Sequence, residues 1–360
     1  NMAIELDPAY AVAYYSRGLA YYQRGELDKA IADYSKAIEL DPQLAVAYSN
    51  RGLIYFNQGE LGTAMVDYNK AIELDPAYAD AYISRGVVYC DQGEFEKAIV
   101  DYNMAIELDP QREVAYYNRG CAYNDQGELG KAIADFNMAI ELDPAEAITY
   151  YNRGGAYADQ GELDKAIADY NKAIEVDPAY ANAYNSRGAV YYKQGELGKA
   201  IADYSKAIEL DPQLAVAYSN RGLIYFNQGE LGTAMVDFNM AIELDPAEAI
   251  TYYNRGGAYA DQGELDKAIA DYNKAIEVDP AYANAYNSRG AVYYKQGELG
   301  KAIADYNMAI ELDPAYAVAY YSRGLAYYQR GELDKAIADF NMAIELDPQL
   351  AVAYSNRGLI

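Results

Sequence analysis

The side chains that ordinarily carry chemistry are thinly supplied in this chain. There is no histidine, which removes the general base that works near neutral pH, the histidine-dependent nucleophile triads and most zinc sites. Two cysteines, Cys90 and Cys121, lack the further Cys or His pair that would complete a disulfide framework or a zinc site, and they read as ordinary free thiols. Gly127 and Gly130 ahead of Lys131 imitate a phosphate loop, but the glycine spacing fails and Ala132 stands where Ser or Thr would hold magnesium. Carboxylates abound, yet Glu39 and Asp41 have counterparts at a fixed spacing throughout the chain, whereas a catalytic pair occurs once. No enzyme, metal or cofactor is expected.

What the chain does offer is asparagine and tyrosine in ordered positions, and the order comes from a repeat. All 11 prolines follow an aspartate and recur every 34 residues, from Pro8 through Pro42 and Pro76 to Pro348. A fixed period of that length defines a solenoid. Counting position 1 from Ala11 divides the sequence into the end of a partial repeat (1–10), ten full units (11–350) and the start of another repeat (351–360). Positions that never change are required by stacking, and positions that vary have been released from it.

Each unit must be a pair of helices. In the second unit Tyr48, Gly52 and Tyr55 lie at i, i+4 and i+7, and Ala64, Tyr68 and Ala71 repeat that spacing after Gly59, so each set lines one helical face. Gly59 suits a helix end that needs a left-handed residue, and Glu60 complements the positive end of the next helix dipole. Asp41-Pro42 reads as an N-cap followed by proline in the first helical position, so helix A is expected to begin there. Small residues at Gly52 and Ala64 let the helices approach, while the tyrosines supply area against neighbouring units. One hairpin cannot bury such a face alone.

Tyr48, Gly52, Tyr55, Gly59, Ala64, Tyr68, Ala71 and Pro76 resemble the tetratricopeptide repeat at its signature positions 4, 8, 11, 15, 20, 24, 27 and 32, over essentially the whole chain. The resemblance implies an all-α fold, a right-handed superhelical solenoid of antiparallel helix-turn-helix repeats. Two departures are systematic. Tyr replaces the family's usual Trp at position 4, and Arg replaces an apolar residue at position 7, from Arg17 to Arg357. Position 23 is Asp in every full unit, which predicts an ion pair of the Arg51–Asp67 type joining helices A and B.

Variation concentrates in helix A at positions 2, 5, 6, 9, 12 and 13. In tetratricopeptide arrays these face the concave groove that receives peptides, so the resemblance implies a groove lined by Tyr15, Tyr117, Tyr151, Tyr253 and Tyr321, with Asn185 and Asn287, at position 5. At position 6 it implies Asn50, Asn118, Asn152, Asn220 and Asn254, joined by Asn356. A ring with a polar tip anchors a peptide, and an amide both donates and accepts, so it clamps backbone irrespective of sequence. The position-6 series resembles the asparagine ladder lining the array of O-linked N-acetylglucosamine transferase. It departs from the chaperone-tail clamps, which need Lys at positions 2 and 5 for a terminal carboxylate. Position 2 holds Val12, Val46, Asp80, Val114, Ile148 and Asn182, and position 5 never holds Lys.

Charge narrows the partner. The chain carries 29 basic against 55 acidic residues, a formal charge of −26, which opposes nucleic acid and anionic membrane. Asp80, Asp91, Asp125 and Asp159 give the groove an acidic run, with Lys193 following, so basic or neutral extended segments are the expected ligands. No run of about 18 apolar residues marks a membrane span, and the visible chain reads as soluble, its compartment open. Residues 137–204 recur unchanged at 239–306, and residues 1–33 at 307–339. Intact copying favours array length over any unique site. Apolar stripes at both ends, without a polar capping helix, suggest a window on a longer array or head-to-tail stacking of molecules. The expected function is therefore a scaffold for extended peptide segments. The alternatives are a self-assembling array, natural or engineered, without a groove ligand, or the targeting array of a larger enzyme.

Overall fold

The structure is a computed structural model that describes residues 2–360. The described residues form 22 helices: a short one at Met2–Leu6, then alternating helices A and B beginning with Ala11–Gln23 and Leu27–Leu40, and a final short helix at Ala351–Arg357. By contacts the chain divides into two compact halves, Asn1–Ala183 and Tyr184–Ile360, with the division inside the sixth helix A, Ala181–Lys193. Within each half the same packing recurs. Helix A lies along its own helix B, against the preceding helix B, and touches the next helix A.

The second unit, helix A at Ala45–Asn57 and helix B at Leu61–Leu74, shows why these residues fold this way. Gly59 takes φ +78°, and its N–H donates to the Phe56 carbonyl at 2.9 Å while the Glu60 N–H donates to Tyr55 at 2.8 Å. These two bonds satisfy the last carbonyls of helix A and turn the chain. The close approach of the helices is set at Gly52, where an added Cβ would lie 3.0 Å from the Tyr68 ring. Ala64, Tyr68 and Ala71 are buried beneath helix A.

The Asp-Pro pair acts differently from the expectation. Helix A begins at Ala45, three residues beyond Pro42, with Leu44 as its cap residue and no side-chain cap bond. Asp41 instead closes the turn after the preceding helix B. Its N–H donates to Ala37 at 2.8 Å, its carbonyl accepts from Leu44 at 3.2 Å, and its Oδ1 accepts the Gln43 N–H at 3.0 Å. Proline here fixes the first central residue of a turn, and the aspartate supplies the side-chain bond typical of one. The same Asp bond recurs at Asp75, Asp109, Asp143 and onward to Asp347.

The ion pair is present in every full unit. Nε and Nη2 of Arg17, Arg51, Arg85, Arg119, Arg153, Arg187, Arg221, Arg255, Arg289 and Arg323 donate to the two oxygens of the Asp 16 residues on, at 2.6 to 2.8 Å. The aspartates are buried. The guanidinium stands beside tyrosines of its own helix, as Arg51 does at 5.8 Å from Tyr48 (position 4) and 6.0 Å from Tyr55 (position 11). A fork-shaped cation over aromatic faces explains why arginine can occupy an otherwise apolar position.

Candidate functional site

The varying face of helix A is built on a wall of rings. Tyr15 packs on Tyr34, Tyr117 on Phe136, Tyr151 on Tyr170, Tyr253 on Tyr272 and Tyr321 on Phe340, with centroids 5.9 to 6.1 Å apart. Tyr151 and Tyr253 also meet Tyr180 and Tyr282 at 5.1 Å. The tyrosines of position 5 are therefore half-buried against the core ring of position 24.

The asparagines connect neighbouring hairpins. Asn50 donates to the Tyr15 hydroxyl at 3.1 Å, Asn152 to Tyr117 at 2.9 Å and Asn356 to Tyr321 at 3.0 Å. Asn220 donates to the Asn185 oxygen at 3.3 Å. Asn152 also points its amide at the Cys121 sulfur, 3.7 Å away. Asn118, preceded by Ile83 at position 5, and Asn254, preceded by Ser219, make no such bond. Ser219 pairs with Thr251 at 2.8 Å instead. Asn254 and Asn287 are buried, and Asn287 Oδ1 has no partner.

Charge is distributed unevenly along this face. Asp91 and Asp125 are exposed at the last residue of their helices, Ala79–Asp91 and Glu113–Asp125. Asp80, expected to extend the acidic run, is instead paired with Arg112 at 2.5 Å, so its charge is spent locally. Burial raises the Cys121 thiol to about 11 and pushes Cys90 up in the same direction, with Asp125 and Asp91 adding to both effects or to the latter. Neither thiol is set up as a nucleophile. Among the described residues no cluster of acidic or cysteine side chains could hold a metal ion.

Two recesses open on this face. One, of about 240 Å³, lies among Cys121, Asn124, Asp125, Tyr151, Asn152, Gly155 and Asp159. The other, of about 260 Å³, lies among Phe226, Tyr253, Asn254, Gly257, Asp261, Ser288 and Lys295. Both are lined by a glycine at position 9, where Leu19, Leu53, Leu223 and Leu325 stand in other units. A Cβ on Gly155 would meet nothing closer than the Tyr170 hydroxyl at 3.9 Å. Sequence reasoning missed these glycines. The available signal was a Gly-Gly pair inside a helix, where a second glycine costs about 1 kcal/mol relative to alanine. A third depression, about 240 Å³, is lined by Val114, Tyr117, Ile148 and Thr149 together with the acids Glu113, Asp143 and Glu146.

The comparisons bear on the repeat and its fold. The chain matches the TPR repeat model over residues 18–59, 52–90, 120–161, 154–195, 190–229, 222–263, 256–297 and 290–331, and the tetratricopeptide repeat model over 79–112 and 317–350. It belongs to the tetratricopeptide repeat family, a class of helical repeat arrays that generally mediate protein and peptide interactions. Among solved structures it is similar to a tetratricopeptide repeat protein from Parabacteroides merdae ATCC 43184, at 24% identity and TM-score 0.54 over 69% of this chain and 98% of that one. It is similar in fold to the APC/C hetero-tetramer Cut9-Hcn1, at 16% identity and TM-score 0.59 over 97% of this chain and 75% of that one. YrrB, described as a TPR protein with an unusual peptide-binding site, aligns at 25% identity and TM-score 0.44 over 52% and 97%. No curated protein matches the sequence. Among the described residues no helix is long and apolar enough to cross a membrane.

Proposed function

We propose that this chain is a non-enzymatic scaffold that binds extended protein segments, basic or neutral in character, along the varying face of helix A. The observation that carries the reading is a division of labour. Invariant residues such as Arg51 and Asp67, and the always aromatic position of Tyr68, are consumed by ion pairs and packing, while the recesses on helix A are lined largely by the positions that vary from unit to unit. A pocketed surface with tyrosine and asparagine in regular register suits a ligand held by its backbone and read by a few side chains.

One observation favours a second reading, a self-supporting array without a groove ligand: Asn50, Asn152, Asn220 and Asn356 donate to the neighbouring hairpin and so serve stacking. A screen of unstructured peptides against the chain and a variant with Asn118, Asn152, Asn220 and Asn254 changed to Ala separates the two. Micromolar binding that is lost in a variant with an unchanged melt supports the groove. Absence of binding, with a variant that melts early, supports the structural array.

A further inference from the structure

Five units carry a tyrosine at position 5, and in four of them position 34 of the same unit is apolar or aromatic: Leu44 with Tyr15, Tyr180 with Tyr151, Tyr282 with Tyr253 and Leu350 with Tyr321. The fourth unit alone sets an acid, Glu146, against its Tyr117. The consequence is a missing ring. Tyr151 meets Tyr170 at 5.9 Å and Tyr180 at 5.1 Å, and Tyr253 meets Tyr272 and Tyr282 at the same two distances. Tyr117 meets Phe136 at 6.1 Å and, among the described residues, no second ring. The third depression, about 240 Å³, opens on it.

The array itself shows what that space is shaped to hold. Tyr180 packs with Tyr151 against the cluster that contains Ala173 and Ala183, and Tyr282 packs with Tyr253 against Ala275 and Ala285 in the same way. The residues at those positions around Tyr117 are Ala139 and Thr149, and both line the depression. Thr149 thus adds a hydroxyl where the filled sites have a methyl. It is only 4% exposed, and among the described residues its hydroxyl makes no hydrogen bond. Its duplicate Thr251 is satisfied, donating to Glu248 at 2.8 Å and bonded to Ser219 at 2.8 Å. Because residues 137–204 and 239–306 are identical, the difference comes from the hairpin before: Glu113 and Tyr117 stand where the second copy has Ala215 and Ser219. The Tyr117 hydroxyl is taken by Asn152 at 2.9 Å, which leaves its ring for the depression.

On the groove reading above, we infer that the depression between the fourth and fifth hairpins receives one tyrosine side chain of the bound segment. Its ring completes over Tyr117 the packing that Tyr180 completes over Tyr151, with Val114 and Ile148 as apolar walls. Its hydroxyl bonds to Thr149. Glu113 and Glu146 carry no ion pair among the described residues, so their charges favour basic neighbours of that tyrosine in the segment.

The test takes the peptides that bind in the screen, expected to contain tyrosine, and replaces that tyrosine with Phe, Lys or Ala, reading affinity by fluorescence anisotropy. Ala and Lys should weaken binding about tenfold through loss of a buried aromatic anchor, and Phe about threefold through loss of one neutral hydrogen bond. Glu146→Tyr rebuilds the array's own covering ring, and Glu146→Leu copies Leu44 and Leu350. Each should abolish the advantage of tyrosine over alanine while the circular dichroism melt stays cooperative. Thr149→Ala, which copies Ala183, should erase the difference between Tyr and Phe and leave that between Tyr and Ala. Glu248→Tyr, in the second copy, should change neither. Binders without tyrosine, a tyrosine replaceable by Ala or Lys without loss, or a preference that survives both Glu146 variants overturns the pocket while leaving the groove intact. Peptides that bind nowhere, or whose binding ignores the four-asparagine variant, overturn both readings.

Discussion

Nη1 of Arg119 donates to the side-chain oxygen of Asn103, in the hairpin before its own, at 2.6 Å. The other two donors of the same guanidinium grip Asp135. One side chain thus ties its own helix A to its own helix B and to the preceding helix B. The pattern recurs from Arg85 to Asn69 and from Arg323 to Asn307, with Ser35 in place of asparagine before Arg51.

Removing the buried member should be the costly change. Asp135→Ala leaves a half-buried guanidinium uncompensated and should destabilise by about 3–5 kcal/mol, whereas Asn103→Ala, an exposed acceptor, should cost about 1 kcal/mol. Denaturant unfolding followed by circular dichroism, with hydrogen exchange to localise the loss, checks the ratio. Equal effects would mean that the pair within the hairpin contributes no more than the bond between hairpins.

Adjacent glycines should respond oppositely. A Cβ on Gly154 would sit 2.9 Å from the Tyr170 ring and 3.3 Å from the Ala166 carbonyl, whereas one on Gly155 meets only the Tyr170 hydroxyl, 3.9 Å away. Gly154→Ala should destabilise by about 1–3 kcal/mol through overpacking. Gly155→Ala should stabilise by about 0.5–1 kcal/mol, the helix preference of alanine over glycine. Melting temperatures of the two single variants decide the matter.

Alkaline pH should unfold the array through its tyrosines. Burial raises the Tyr34 phenol to about 12 and lifts Tyr68 and Tyr102 further in the same direction. An unfolded tyrosine titrates near 10. Because the fold favours the neutral phenol, this stabilisation is complete below pH about 10 and is lost as pH rises through the folded value. Tyrosinate absorbance should therefore rise in two stages, exposed rings first, and the second stage should coincide with loss of helical signal.

The cysteines should be slow to react. With Cys121 raised to about 11 by burial, only about one part in a thousand is thiolate at pH 8. Iodoacetamide should modify it at least tenfold faster in denaturant than in the folded chain, read by mass spectrometry at the Cys121 peptide. Comparable rates would mean that the thiol is not held neutral by its surroundings.

The hairpins and the Arg–Asp pair were legible in the sequence because ten copies turn composition into a measurement: Gly52, Gly59 and Asp67 recur wherever sterics or charge demand them. The entry into helix A was misread because Asp followed by Pro suits a turn as well as an N-cap. The choice was made by the Gln43 and Leu44 bonds to Asp41, which the pair itself does not announce. The asparagines were placed on the correct helix, but their bonds span 35 residues, as from Asn50 to Tyr15. That register between hairpins is invisible to a periodicity read inside one. The pairing of Asp80 with Arg112 escaped notice for the same reason.

The helix at Ala147–Asp159 and its duplicate at Ala249–Asp261 share all 13 residues yet border recesses of different lining. The vocabulary of this surface is thus the junction and not the module: what a hairpin presents depends on which hairpin stands beside it. Reordering intact units can write a new recess without altering a single codon within them, so a lineage or a designer holding a handful of such modules has as many surfaces to draw on as there are ordered neighbours.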